Sequence, residues 1–108
     1  MMTNRNLYRI VTLVWAETGV SLEYMQGSER HRRTVMARRL VVGLARSTTL
    51  CSFPEIGRVF NRRSHSSAVE QHHEHERLVR MDGEYSRTFW KLHRQLREMT
   101  TTMVVEAA

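Results

Sequence analysis

The chain has 108 residues, of which 41% are hydrophobic and 26% are charged. This length fits one small globular domain and leaves no room for a second. No apolar stretch approaches the roughly 18 to 20 residues that cross a bilayer, and no secretory signal peptide is recognisable. A single cysteine and a single proline exclude a disulfide framework and a cysteine-ligated zinc site. We therefore expect a soluble, intracellular domain that is held together by packing alone.

Positive charge is concentrated in one third of the chain. The 17 basic residues exceed the 11 acidic ones by six, and an excess of this size favours a polyanion as the partner. Residues 28–63 hold nine arginines and two glutamates, which is +7 for this segment alone. Scattered arginines would serve solubility, whereas this concentration indicates a binding face.

Helical periodicity begins close to the start of the chain. A first helix is predicted over residues 4–17 and is expected to stop near Gly19. Ser21 is the predicted cap of a short second helix that ends at Gly27. The apolar residues of the first helix recur at i, i+3, i+4 and i+7: Leu7, Ile10, Val11 and Val14.

An arginine-rich loop over residues 28–33 is expected next, followed by a third helix over residues 34–47. Met36, Leu40 and Leu44 repeat every four residues in this helix. Arg38 and Arg39 are therefore expected near the end of this helix that faces the loop.

A fourth helix is predicted to open with a capping box. The Ser52 hydroxyl can accept from the amide three residues on, while Glu55 reaches back to the Ser52 amide. Pro54 in the first turn loses no helical hydrogen bond. Phe53, Ile56 and Phe60 form one apolar stripe, and the turn is expected at residues 61–63, where asparagine tolerates a positive φ.

Two further helices complete the predicted all-α fold. Ser64 is the expected cap of a helix that runs to Met81 and is broken by Asp82 and Gly83. The last helix is predicted over residues 84–99. Residues 100–108 are expected to form a flexible tail.

The helix pair over residues 52–80 has the layout of a helix-turn-helix. Such a unit places the start of its second helix in the major groove, where His65 and Ser66 would meet base edges. Arg62 and Arg63 would then lie against phosphate. An ordinary helical hairpin with a serine-rich cap has similar spacing, so the spacing alone leaves both interpretations open.

Two short motifs frame this turn. Residues 52–60 read Ser-Phe-Pro-Glu-Ile-Gly-Arg-Val-Phe, and residues 63–67 read Arg-Ser-His-Ser-Ser. Together they resemble the carboxy-terminal DNA-binding domain of the bacterial replication initiator DnaA, which carries Ser-Leu-Pro-Glu-Ile-Gly and then Phe-Gly-Gly-Arg-Asp-His-Ser/Thr-Thr. The similarity extends back through Arg38 and the basic loop and covers roughly residues 5–80.

The resemblance implies a five- to six-helix, Trp-repressor-like domain that binds double-stranded DNA at a nine-base initiator box. It assigns base contacts to Ser64, His65 and Ser66 in the major groove and to Arg30 in the minor groove. Contacts to the DNA backbone are expected from Ser52, Arg32, Arg33, Arg38, Arg62, Arg63 and Ser67. Serine replaces the family aspartate at position 64, and Asn61-Arg62 replaces Gly-Gly. We expect these changes to alter or relax the preferred DNA sequence.

The sequence holds no Gly-x-x-x-x-Gly-Lys-Ser/Thr loop for nucleotide. We expect a free-standing, phage-like DNA-binding domain that regulates replication initiation or transcription at the nucleoid. It is expected to be a monomer and not an enzyme, with no cofactor, bound nucleotide or membrane partner. The alternative is a module that binds a replication factor through its last helix and has only non-specific affinity for DNA.

The remaining candidate residues favour structural roles. His72 and Glu76 have the i, i+4 spacing of a metal pair. The helical register that the resemblance implies places His72 and His75 towards the interior, so no metal site is expected. Cys51 is expected in the core. The aromatic residues that are not interleaved with the arginines are expected in the core or on a partner surface; they are Trp15, Phe89 and Trp90.

Overall fold

Six helices and no strand make up the part of the chain that the computed structural model describes. It describes the backbone of residues 5–27, 31–60 and 65–107, together with their side chains except those of residues 65–66 and 100–107. The helices are α1 (Arg5–Thr18), α2 (Leu22–Gln26), α3 (Arg32–Thr48), α4 (Phe53–Val59), α5 (His65–Met81) and α6 (Gly83–Ala107). The predicted all-α fold is confirmed. Among these helices, none is both long enough and apolar enough to cross a membrane.

The first two helices follow the sequence signals. α1 ends where Gly19 takes a left-handed backbone with a φ of 77°, and its N–H donates to the carbonyl of Trp15 at 2.8 Å. The hydroxyl of Ser21 accepts from the amide of Tyr24 and so caps α2. The predicted apolar face of α1 is buried, with Leu7, Ile10, Val11 and Val14 in the core.

α3 lies at the centre of the domain and packs against α1, α2, α5 and α6. A helix surrounded in this way must be buried around much of its circumference. Nine of its residues are buried, namely Thr34, Ala37, Arg38, Leu40, Val41, Val42, Gly43, Leu44 and Ala45. The other helices are therefore positioned relative to α3.

Gly43 allows α3 and α5 to approach closely. A Cβ atom at this position would overlap the imidazole ring of His75. His75 Nδ1 lies 2.7 Å from the hydroxyl oxygen of Tyr85, and its ring centroid lies 4.5 Å from that of Phe89. One buried imidazole thus joins α3, α5 and α6, and the predicted inward position of His75 is confirmed.

Burial shifts the pKa values of both partners in this hydrogen bond. Loss of water and the neighbouring His72 lower the pKa of His75 to about 4. Loss of water also raises the pKa of Tyr85. Both side chains are therefore neutral at pH 7, so neither buries a charge.

α6 is longer than predicted. The break at Asp82 and Gly83 is confirmed, and the Asp82 carboxylate accepts from the amide of Tyr85 at 3.1 Å at the start of the helix. The helix then continues to Ala107, so the predicted end at Met99 is wrong. No glycine or proline follows Gly83, and extending a helix costs less than starting one.

We expect Gly43→Ala to lower the free energy of unfolding by about 1–3 kcal/mol, because the added methyl group must displace the buried His75 ring. Urea denaturation at pH 7 measures this change. Gly83→Ala is the matched control, since its nearest heavy atom beyond its neighbours is at the end of the flexible Arg87 side chain, 3.4 Å away. Equal stability of the two variants would contradict the close approach at Gly43.

Acid is expected to weaken the fold through His75. Above pH 6.5, the ordinary pKa of histidine, the ring is neutral in both the folded and the unfolded chain. Between pH 6.5 and about pH 4, the unfolded chain binds a proton on this ring and the folded domain does not. The free energy of unfolding should therefore fall by up to about 1.4 kcal/mol per pH unit from pH 6.5 towards pH 4. Urea denaturation across this range, with NMR titration of the ring, measures the effect. His75→Asn should show a shallower slope and the exposed-site control His73→Asn the original slope; a normal pKa for His75 would refute this prediction.

Candidate nucleic-acid interface

α4 and α5 form the predicted helix pair, and α5 packs against both α3 and α4. The backbone of His65 is already helical, so the predicted base-contacting positions 65 and 66 lie in the first turn of α5. Their side chains, and the predicted contact residues at positions 30 and 62–64, lie outside the described part of the structure. The expected left-handed turn at position 61 and the cap at position 64 lie outside it as well.

The start of α4 is organised by the predicted capping box. The Ser52 hydroxyl accepts from the amide of Glu55 at 3.3 Å, and the Glu55 carboxylate accepts from the amide of Ser52 at 2.8 Å. The hydrogen bond from the Ser52 amide holds the pKa of Glu55 below its usual range. Ser52 is exposed, and its hydroxyl proton is still available for a phosphate oxygen.

Two further contacts attach α4 to the rest of the domain. The guanidinium of Arg46 lies 4.2 Å above the ring of Phe53 and donates to the carbonyl of Cys51 at 3.1 Å. At the other end, the side-chain amide of Gln26 donates to the carbonyl of Val59 at 3.0 Å. The direction of α4 is thus held at both ends, by α3 and by α2.

Sequence reasoning missed these attachments. Gln26 and its acceptor are 33 positions apart, and the Arg39 guanidinium donates to the Gln71 side chain across 32 positions. Helical periodicity reports contacts within one helix and carries no signal for such pairs. Arg46, by contrast, is only a few residues before Phe53, which begins the capped helix. This closeness in sequence is the one signal from which its contact with Phe53 could have been predicted.

Arg38 belongs to the fold. Its side chain is only 7% exposed, and its guanidinium donates to the carbonyls of Met25 at 2.7 Å, Gly27 at 2.7 Å and Tyr24 at 3.3 Å. The structure thus contradicts the predicted contact between Arg38 and DNA phosphate, because the group is already held by backbone acceptors. Its role is to anchor the end of α2, immediately before the basic loop.

Arg32 and Arg33 remain available at the surface. Both are exposed in the first turn of α3, which contains no acidic residue. The amino end of a helix is already the positive end of its dipole, so two arginines there add to an unfavourable local field. An external anion such as phosphate relieves that field. They line a groove of about 690 Å³ between α1, α3 and α6, where Glu17 and Glu84 are also found.

Ser67 follows the two undescribed side chains in the first turn of α5 and is partly exposed. It therefore lies at the same end of α5 as the predicted base-contacting residues. A short hydroxyl at this position can donate to a phosphate oxygen without rearrangement of the helix.

Two histidines of α5, His72 and His75, serve packing. Burial lowers the pKa of His72, whose ring packs edge-on against Phe53 with centroids 5.6 Å apart. The nearest carboxylate oxygen, on Glu76, lies 3.9 Å from His72 Nδ1. Within the described residues, no three metal-binding side chains converge on one point.

The two tryptophans and Cys51 divide between surface and core. Cys51 is buried with 2% exposure, which confirms its predicted place in the core. Trp15 and Trp90 are about half exposed, whereas Phe89 is buried. Of the two predicted locations, core or surface, Phe89 therefore has the first and the tryptophans have the second.

Two comparisons with known proteins agree with this layout. A family model described as the bacterial dnaA protein helix-turn-helix matches residues 7–74. The chromosomal replication initiator protein DnaA of Rhodopseudomonas palustris (strain BisA53) is 35% identical over 89 residues, which are 82% of this chain and 19% of the relative. The chain thus spans about a fifth of the length of that initiator. Because the matched segment runs from α1 through α4 into the first ten residues of α5, the chain belongs to the family of bacterial DnaA helix-turn-helix domains.

Proposed function

We propose that this domain binds double-stranded DNA sequence-specifically, with the first turn of α5 in the major groove. The sites are similar to the nine-base box that the family resemblance implies, and their occupancy regulates replication initiation or transcription on DNA inside the cell. The proposed role is binding by a single copy of the domain, without a catalytic step. The observation that carries it is the helix pair α4–α5, which the family match covers as far as residue 74 and which contacts from α2 and α3 hold in place.

A helix that contacts bases needs a rigid support, because a displacement of about 0.5–1 Å is enough to lose a base contact. Arg46 and Gln26 fasten the two ends of α4, and Ile56 and Phe60 are buried beneath it. α5 is in turn packed on α3 through Gly43 and His75. These contacts support a helix pair that meets DNA as one preformed unit.

The proposed base contacts are those of Ser64, His65 and Ser66, with Arg30 in the adjacent minor groove. Serine and imidazole can each donate or accept a hydrogen bond, which suits base edges. Serine at position 64 accepts more weakly than the family aspartate and also donates, so we propose a site that departs from the usual box at the base pair read there.

The proposed phosphate contacts come from the starts of α3, α4 and α5 and from the segment that precedes α5. Arg32 and Arg33 supply exposed charge at the amino end of α3, and Arg62 and Arg63 precede α5 in the sequence. Hydroxyls of Ser52 and Ser67 add neutral donors at the starts of α4 and α5. Arg38 is left out because it is bonded within the fold.

We expect His65→Ala to remove much of the preference for the bound sequence over scrambled DNA. Loss of one good base contact lowers this preference roughly 5- to 150-fold and leaves the affinity for scrambled DNA nearly unchanged. The preferred duplex is first selected from a random pool, and competition binding then measures the ratio. His73→Ala is the control, because His73 lies on the same helix with a side chain that is 73% exposed. An equal loss on both duplexes would refute base reading by His65.

We expect Arg32→Ala with Arg33→Ala to weaken all duplexes alike. Each phosphate contact that is lost should make the slope of log affinity against log salt shallower by about 0.9. Fluorescence anisotropy over a salt series measures this slope. Arg77→Ala is the control, since Arg77 is also exposed but is paired with Glu74 at 2.8 Å. A slope that stays the same in the double variant would place the phosphate contacts elsewhere.

A further inference from the structure

α6 presents a second basic surface, which we name the α6 stripe. It consists of Arg87, Trp90, Arg94 and Arg97, which follow one another along one side of the helix at i, i+3, i+7 and i+10, and all four are exposed. The opposite side of α6 is in the core, with Tyr85, Phe89, Leu92 and Leu96 buried. The stripe therefore faces away from the domain.

The arginines of the stripe have no carboxylate partner among the side chains that the structure describes. Lys91, on the flank of the stripe, is instead paired with Glu17 of α1 at 2.8 Å. Glu98 lies one turn beyond Arg94 and is also exposed, yet no ion pair forms between them. Three guanidinium groups are thus left to bind an external anion.

Trp90 is held in the middle of these charges. Its ring lies edge-on to Phe89 and His93, with centroids 4.8 Å and 5.1 Å away, and it is 52% exposed. These two contacts limit the rotation of the indole and leave part of its surface open. An aromatic face between arginines is the arrangement on which a base stacks while its phosphates are neutralised.

We propose that the α6 stripe binds single-stranded nucleic acid, with Trp90 stacking on a base and Arg87, Arg94 and Arg97 contacting phosphates. A duplex keeps its base faces covered, so the indole favours an unpaired strand. A lipid surface fits less well, because an amphipathic helix inserts its apolar side and that side of α6 is in the core.

The α6 stripe is separate from the helix-turn-helix surface. α5 spans about 24 Å from its first turn to Met81, and α6 begins at that far end and continues along α1, where Lys91 meets Glu17. Lys91, on the flank of the stripe, thus contacts α1 and not the helix pair, which agrees with a site apart from the start of α5. This proposal goes beyond duplex recognition and does not depend on it.

The test uses the full chain and a labelled oligothymidylate of about 15 nucleotides in fluorescence anisotropy at low salt. Wild type should bind. Trp90→Ala should weaken binding about 5- to 100-fold and Trp90→Phe less, because stacking is reduced but not lost. Arg94→Ala with Arg97→Ala should make the salt slope shallower by about 1.4, at about 0.7 per phosphate on a single strand.

Two controls match these variants. Trp15→Ala removes an indole that is equally exposed on α1, and Arg80→Ala removes an exposed charge at the end of α5; neither should change binding more than twofold. Urea midpoints show that each variant is folded. His65→Ala should bind oligothymidylate normally, which separates this site from the duplex-reading surface.

Four results would each overturn the proposal. Wild type fails to bind oligothymidylate, or the stripe variants lose no more affinity than the two controls. The stripe variants weaken duplex binding while oligothymidylate binding is unchanged. Alternatively, they lose affinity for phosphatidylserine vesicles or for an acidic peptide and keep it for the single strand.

Discussion

The packing of the His75 ring against Gly43 is the contact on which the arrangement of the helices depends. It brings α5 close to α3 where no side chain intervenes, and the hydrogen bond to Tyr85 then ties in α6. Burial disfavours the charged imidazole, so the pKa of His75 is lowered and the ring is neutral at pH 7. α5 is thereby packed against both α3 and α6 through one side chain.

Four arginines of this chain show three different physical roles. Arg38 is buried and bonded to backbone carbonyls, so it closes the end of α2. Arg46 covers the ring of Phe53 and fixes the start of α4. Arg32 and Arg33 are exposed at the positive end of the α3 dipole, where they favour an anion. Net charge therefore indicates the class of partner, while burial decides which arginines can reach it.

Local patterns predicted those features that depend on neighbours in sequence. The apolar face of α1, the caps at Ser21 and Ser52, and the break before Gly83 involve residues at most a few positions apart. The end of α6 was misplaced, because no residue after Met99 marks a stop and helix extension needs no special signal. The base-contacting positions came from the resemblance of two motifs, and they remain proposals because their side chains lie outside the described structure.

The sequence by itself determined the helical class, the family and the concentration of positive charge, since periodicity, motif and composition are properties of the linear chain. Only the tertiary structure decided that Arg38 is internal, that Arg46 supports α4, and that His75 joins three helices. Each of these depends on distance between residues far apart in the chain, and hydrogen bonding and burial act through space. The sequence does not distinguish an arginine that is bonded to α2 carbonyls from one that is open to water. The packing of α3 decides which of the two environments Arg38 has.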